Sequence, residues 1–201
     1  MNTARDLSIV TVEVETDRPL EQGDLSLALA GAELIDLVEA GAVVLDGDRI
    51  APGAQPATGD RLLDEAAGSL VRTQPYESVE DWLWRRGRGL AAVYLAELEK
   101  EGLVTQARGR LLPVRTGRKA LAASPERQRA EGRRASEEPV LAALTAALGI
   151  RDEPADGSFD LTDDSVVTVL TTVGDAVTEL EAVRQRRTVE QAAFDNIWRG
   201  V

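Results

Sequence analysis

The strongest constraint on the fold is a unit that occurs twice at a fixed offset of 61 residues. The first copy is Leu34…Leu37…Gly41-Ala-Val43…Arg49-Ile-Ala-Pro52. The second is Leu95…Leu98…Gly102-Leu-Val104…Arg110-Leu-Leu-Pro113. Each copy reads as a helix, a glycine stop, a β-hairpin and a proline. A helix that stops at glycine and turns directly into a short hairpin leaves no room for a long strand. Two such units predict a mainly α-helical chain with two short hairpins, at about 43–51 and 103–113. Asp46-Gly-Asp is the tight-turn signal of the first hairpin, and Arg108-Gly109 that of the second.

The remaining elements follow from caps and periodicity. Leu7–Val14 (LSIVTVEV) is β-branched and partly alternating, and predicts a strand. Asp24 is placed to cap a helix whose apolar positions Leu27, Ala30, Leu34, Leu37 and Val38 recur at helical spacing. Thr58 or Asp60 opens the next helix, and Ser78 opens another in a capping-box-like run. A helix runs over about 90–101. Ser124-Pro125 starts a basic helix over about 125–135. Residues 138–148 read as a core helix, 151–163 as an acidic loop, and the rest as helix to about Trp198. The length of 201 residues and the hydrophobic content of 43% suit one globular domain over 1–201. With aromatics at 3%, its core must be built from Leu, Val and Ala.

The chain contains no His and no Cys. That removes the usual general base, thiolate chemistry and the commonest metal ligands. Asp60, Asp64 and Glu65 form a carboxylate cluster, which reads better as acidic groups at a helix N-terminus than as a catalytic pair. The composition therefore points away from an enzyme and from any metal or cofactor. No stretch approaches the roughly 18 apolar residues of a membrane span, and the first residues hold no signal-peptide core. These features lead to the expectation of a cytoplasmic protein, free or peripheral on the cytosolic membrane face.

The net charge is −12, but it is segregated. Residues 1–84 carry −12, residues 85–134 carry +8, and residues 135–201 carry −8. The basic middle either pairs with its acidic flanks inside the fold or forms an exposed basic face. Its densest part is Trp82-Leu-Trp84-Arg85-Arg86-Gly-Arg88. On a helix Trp82 and Trp84 lie about 200° apart, so one should be buried and the other partly exposed. An interfacial Trp84 beside Arg85, Arg86 and Arg88 suits a membrane surface, because arginine binds lipid phosphate bidentately. The helix before the second hairpin, with Arg108, Arg110, Arg115, Arg118 and Lys119 after it, also has the outline of a winged-helix domain. Its helix AAVYLAELEKE carries three Glu and no Arg, Asn or Gln, which repels DNA. The acidic balance likewise argues against a nucleic-acid partner.

Residues 56–66, Pro-Ala-Thr-Gly-Asp-Arg-Leu-Leu-Asp-Glu-Ala, resemble a P-T-G-D-x-L-L-D-E-A stretch of the Golgi phosphoprotein 3 family. The helix at Leu29-Ala-Gly-Ala-Glu-Leu-Ile-Asp-Leu, the Ser78-Val-Glu-Asp-Trp82 start and Leu95-Ala-Glu-Leu-Glu-Lys-Glu-Gly-Leu-Val104 follow in the same order. The excess of Arg over Lys is the codon-usage mark of a GC-rich bacterial genome. The resemblance implies a mostly helical fold without enzymatic activity. It also implies binding of phosphatidylinositol 4-phosphate or another anionic membrane lipid, and an adaptor role toward cytosolic tails of membrane proteins. The family's headgroup positions fall near Glu21 and at Ala30, Arg88 and Ala91. Arg85, Arg86 and Arg88 are the expected headgroup residues, and Trp84, Leu111 and Leu112 the expected membrane contacts. A protein-interaction module without lipid binding is the second reading, and a winged-helix regulator the third.

Overall fold

The computed structural model describes residues 2–13, 20–54, 58–108, 115–150, 159 and 161–199. The mainly α expectation holds. In chain order the elements are α1 (Thr3–Glu13), α2 (Gln22–Glu39), β1 (Val43–Asp46), β2 (Arg49–Pro52), α3 (Arg61–Gly68), α4 (Val79–Arg86) and α5 (Leu90–Lys100). Then follow β3 (Val104–Arg108), β4 (Arg115–Leu121), α6 (Pro125–Ala135), α7 (Pro139–Ala147) and α8 (Asp164–Arg199).

α2 is the centre. Leu25–Leu37 are buried without interruption, so this helix is apolar all round apart from a few polar groups. α1, α4, α5 and α8 pack around it. α8 approaches closely at Gly31, where a Cβ would lie 2.3 Å from Val173 Cγ2. Trp82 is 0% exposed and its indole nitrogen donates to the Ala30 carbonyl at 3.0 Å.

Both Gly-stop units are present. Gly41 and Gly102 have φ of 68° and 75°, the left-handed conformation that glycine takes without steric cost. β1 and β2 pair antiparallel with Asp46 opposite Arg49. The second hairpin is longer than expected. Its return strand is Arg115–Leu121 rather than residues up to 113, with Val104 opposite Leu121 and Arg108 opposite Arg115. That register packs Val104 and Leu121 on the core at the base of the hairpin, and burial of one face fixes register. The expected turn at Arg108-Gly109 falls partly among residues 109–114, which lie outside the described residues.

Two further expectations are corrected. Of the segment predicted as a strand at Leu7–Val14, Leu7–Glu13 lie in helix α1, and Val14 lies outside the described residues. Ala4, Leu7, Ile9 and Val10 are all at most 1% exposed, so burial surrounds the helix and its apparent alternation carries no information. Its N-terminus is capped twice: Asn2 Oδ1 accepts the Arg5 N–H at 2.8 Å, and Asp36 of α2 accepts the N–H groups of Thr3 (2.8 Å) and Ala4 (3.1 Å). Tertiary context therefore overrides β propensity. Asp24 does not cap α2. The helix begins after Glu21, and Asp24 in its first turn binds Arg184 of α8 through two contacts of 2.8 and 2.7 Å.

Candidate functional site

Ser78 sets the start of α4: its hydroxyl accepts the Asp81 N–H at 3.0 Å and donates to the Asp81 carboxylate at 2.7 Å. Gly87 ends the helix where backbone approaches backbone, since a Cβ there would lie 2.5 Å from the Leu83 carbonyl oxygen. Gly89, at φ 71°, precedes α5. Eight helical residues between these stops send Trp82 and Leu83 into the core. The three neighbouring arginines leave in different directions.

Arg85 holds Glu77 through Nε (2.6 Å) and Nη2 (2.7 Å), and its guanidinium lies over the Trp82 ring at 5.2 Å. Arg86 turns inward. Its Nε and Nη2 donate to the two oxygens of Glu33 at 2.7 and 2.9 Å, and Nη1 reaches Glu65 at 3.3 Å. Glu33 is 0% exposed and also accepts the Tyr94 hydroxyl proton at 3.1 Å. Burial pushes the Glu33 carboxyl above the usual range, while Arg86 and Tyr94 pull it back. Arg88 is exposed and, among the described residues, has no carboxylate within ion-pair distance. The arginine cluster thus divides into one surface pair, one internal pair and one exposed cation.

Trp84 is the partly exposed tryptophan that the helical spacing required. It lines a cleft of about 250 Å³ together with Asp48, Glu80, Asp175 and Glu179, so its surroundings are acidic. Leu111 and Leu112 lie outside the described residues. Of the four positions at or near which the resemblance places headgroup contacts, Ala30 and Ala91 are buried methyl groups and Glu21 is an exposed acid. Arg88 alone supplies a cation.

The basic helix α6 is drawn against acidic flanks. Arg129 and Arg133 bind the fully buried Asp6 at 2.8 and 2.9 Å. Arg127 binds Glu13 at 2.6 Å, and Arg133 also binds Glu138 at 2.7 Å. Asp60 and Asp64 act in local structure: Asp60 accepts the N–H groups of Leu62 and Leu63, and Asp64 those of the Thr58 backbone and hydroxyl. The residues missed from sequence are Glu33, Asp36 and Tyr94. Their signal was visible, because Glu33 and Asp36 interrupt an otherwise apolar helix, and a charge at such a position requires a buried partner.

Among the described residues, no helix is long and apolar enough to cross a membrane. A family model described as Golgi phosphoprotein 3 (GPP34) matches residues 4–193. No curated protein matches the chain.

Proposed function

Because the chain belongs to the Golgi phosphoprotein 3 family, we propose that it is a non-enzymatic, peripheral membrane-binding adaptor. In this reading it meets anionic lipid through Arg88 and the hairpin segment that holds Leu111 and Leu112. The family match over residues 4–193 carries the proposal. The exposed Arg88, which has no carboxylate within ion-pair distance among the described residues, supports it. Arg86 is assigned to the folded interior, and Arg85 to the rim of the contact.

An arginine at an anionic surface contributes about 1 kcal/mol. Two leucines inserted fully contribute roughly 3–6 kcal/mol. The test is co-sedimentation with phosphatidylcholine vesicles, alone or containing phosphatidylglycerol or phosphatidylinositol 4-phosphate, at low and physiological salt. Wild type should bind the anionic vesicles more tightly than the neutral ones, and less well in salt. Arg88→Ala should weaken binding about fivefold, and Leu111→Asp with Leu112→Asp should abolish it. Absence of binding at low salt overturns the lipid reading and leaves the protein-interaction module. One observation favours that second reading: Arg85, Arg86, Arg127, Arg129 and Arg133 are all paired with carboxylates of this chain.

A further inference from the structure

A cavity of about 320 Å³ lies between α1, α2 and α5, away from the arginines of α4. In a chain with 29% charged residues, none of the described residues that line it is ionisable. Its floor is made by Leu25, Ala91 and Leu98, all at most 8% exposed. Val12 and Leu95 stand at its half-buried edge. Two hydroxyls face the same space, but their protons are spent within α1. Ser8 donates to the Ala4 carbonyl at 3.0 Å and Thr11 to the Ser8 carbonyl at 2.9 Å. The wall thus combines apolar side chains with hydroxyl oxygens that can only accept, and among the described residues that line it none offers a counter-ion to a charged group. Gln22, exposed at the mouth, is the polar group beside the opening.

From this geometry we infer that the α1–α2–α5 cavity is a binding site for the hydrocarbon chain of an amphiphile, with its uncharged polar end at Gln22. The size suits it. A dry apolar cavity of about 150 Å³ admits benzene, and this one has about twice that space. It also falls within the lower range of small-molecule pockets, about 300–1,000 Å³. The site is independent of Arg88 and of anionic lipid, so it stands or falls separately from the adaptor reading.

The probe is N-phenylnaphthylamine, a neutral dye that fluoresces in apolar surroundings, with decanol as competitor. The full chain should bind the dye saturably at one site, and decanol should displace it. Ala91→Phe fills the floor and Leu95→Trp closes the mouth; each should weaken dye binding at least tenfold while circular dichroism remains that of wild type. If Ala91→Phe does not fold, Leu95→Trp decides. A parallel arm uses vesicles of neutral phosphatidylcholine alone. Decanol displacement assigns the chain to a free amphiphile. Cavity-dependent vesicle binding without decanol displacement assigns it to a membrane lipid. Absence of saturable dye binding by wild type overturns the inference, as does equal binding by wild type and the filled variants.

Discussion

Replacing Arg86 with alanine would leave the Glu33 carboxylate at 0% exposure with only the Tyr94 hydroxyl as a side-chain donor. Two charge-assisted hydrogen bonds, at 2.7 and 2.9 Å, disappear together. Removing one partner of a buried pair costs about 3–5 kcal/mol, because the remaining charge is uncompensated. The lost Glu65 contact adds little, since that carboxylate is 55% exposed. Against a total stability of about 5–15 kcal/mol, the loss is large. With a urea dependence of about 2–3 kcal/mol/M, the unfolding midpoint should fall by roughly 1–2 M. The pH dependence gives a second handle. Glu33 is already shifted upward by burial, and losing Arg86 shifts it further. A carboxylate whose folded pKa is raised stabilises the folded state in acid and loses that contribution as pH rises through the folded pKa. The deficit of Arg86→Ala should therefore shrink on acidification, and Arg86→Met with Glu33→Gln should recover most of it. The assay is urea unfolding of wild type, single and double variants across pH. A loss under about 1 kcal/mol at neutral pH, or one that does not shrink in acid, would refute the buried-pair argument.

Two further outcomes test the scaffold. Asp36 is 2% exposed and burial pushes its carboxyl up to about 7, against the backbone hydrogen bonds from Thr3 and Ala4. Its contribution to stability is fully present below about pH 4 and is lost as pH rises through about 7. Asp36→Asn should flatten the unfolding midpoint over that window, and an unchanged slope counts against the assignment. Gly31→Ala sets a Cβ 2.3 Å from Val173 Cγ2, so the Val173 side chain or α8 must shift. The overpacking cost of about 1–3 kcal/mol should be read in thermal unfolding, and restored by adding Val173→Ala.

The helices and both Gly stops were legible because they rest on local chemistry. Ser78, Ser124 and Asp60 cap where their side chains reach the next N–H groups, and Gly41 and Gly102 stop helices by adopting positive φ. α1 was not legible, although Asn2 caps it locally, because burial of Ala4, Leu7, Ile9 and Val10 on several sides erases the helical period, and its second cap, Asp36, lies more than thirty positions along the chain. Asp24 misled for the converse reason. Its type and position suit a cap, but the carboxylate is taken by Arg184, 160 residues away. In the candidate site, the separation of Trp82 from Trp84 followed from helical angle alone. The fates of Arg85, Arg86 and Arg88 did not, because each is decided by whether a carboxylate from another element lies within reach.

The charge blocks of the sequence acquire a different meaning in the fold. A basic segment with few acids of its own cannot neutralise itself through neighbours three or four residues away, so its partners must come from distant segments. Asp6 and Glu13 from the first block reach α6, Glu33 and Glu77 reach α4, and Glu138 from the third reaches Arg133. Segregation by sequence thus becomes a set of ties between elements, which take up Arg85, Arg86, Arg127, Arg129 and Arg133 of the middle block, while the side chains of Arg108, Arg110, Arg115, Arg118 and Lys119 lie outside the described residues. This changes what membrane association has to rest on. In α4 and the turn after it, only Arg88 remains exposed and unpaired among the described residues. One such charge contributes about 1 kcal/mol at an anionic surface. The net charge of −12 opposes approach to that surface. Electrostatics from this face can therefore orient the protein but cannot hold it. In the proposed lipid reading, the free energy that Arg88 does not supply would come from the segment between β3 and β4, whose sequence carries Leu111 and Leu112 with Arg108, Arg110 and Arg115 beside them.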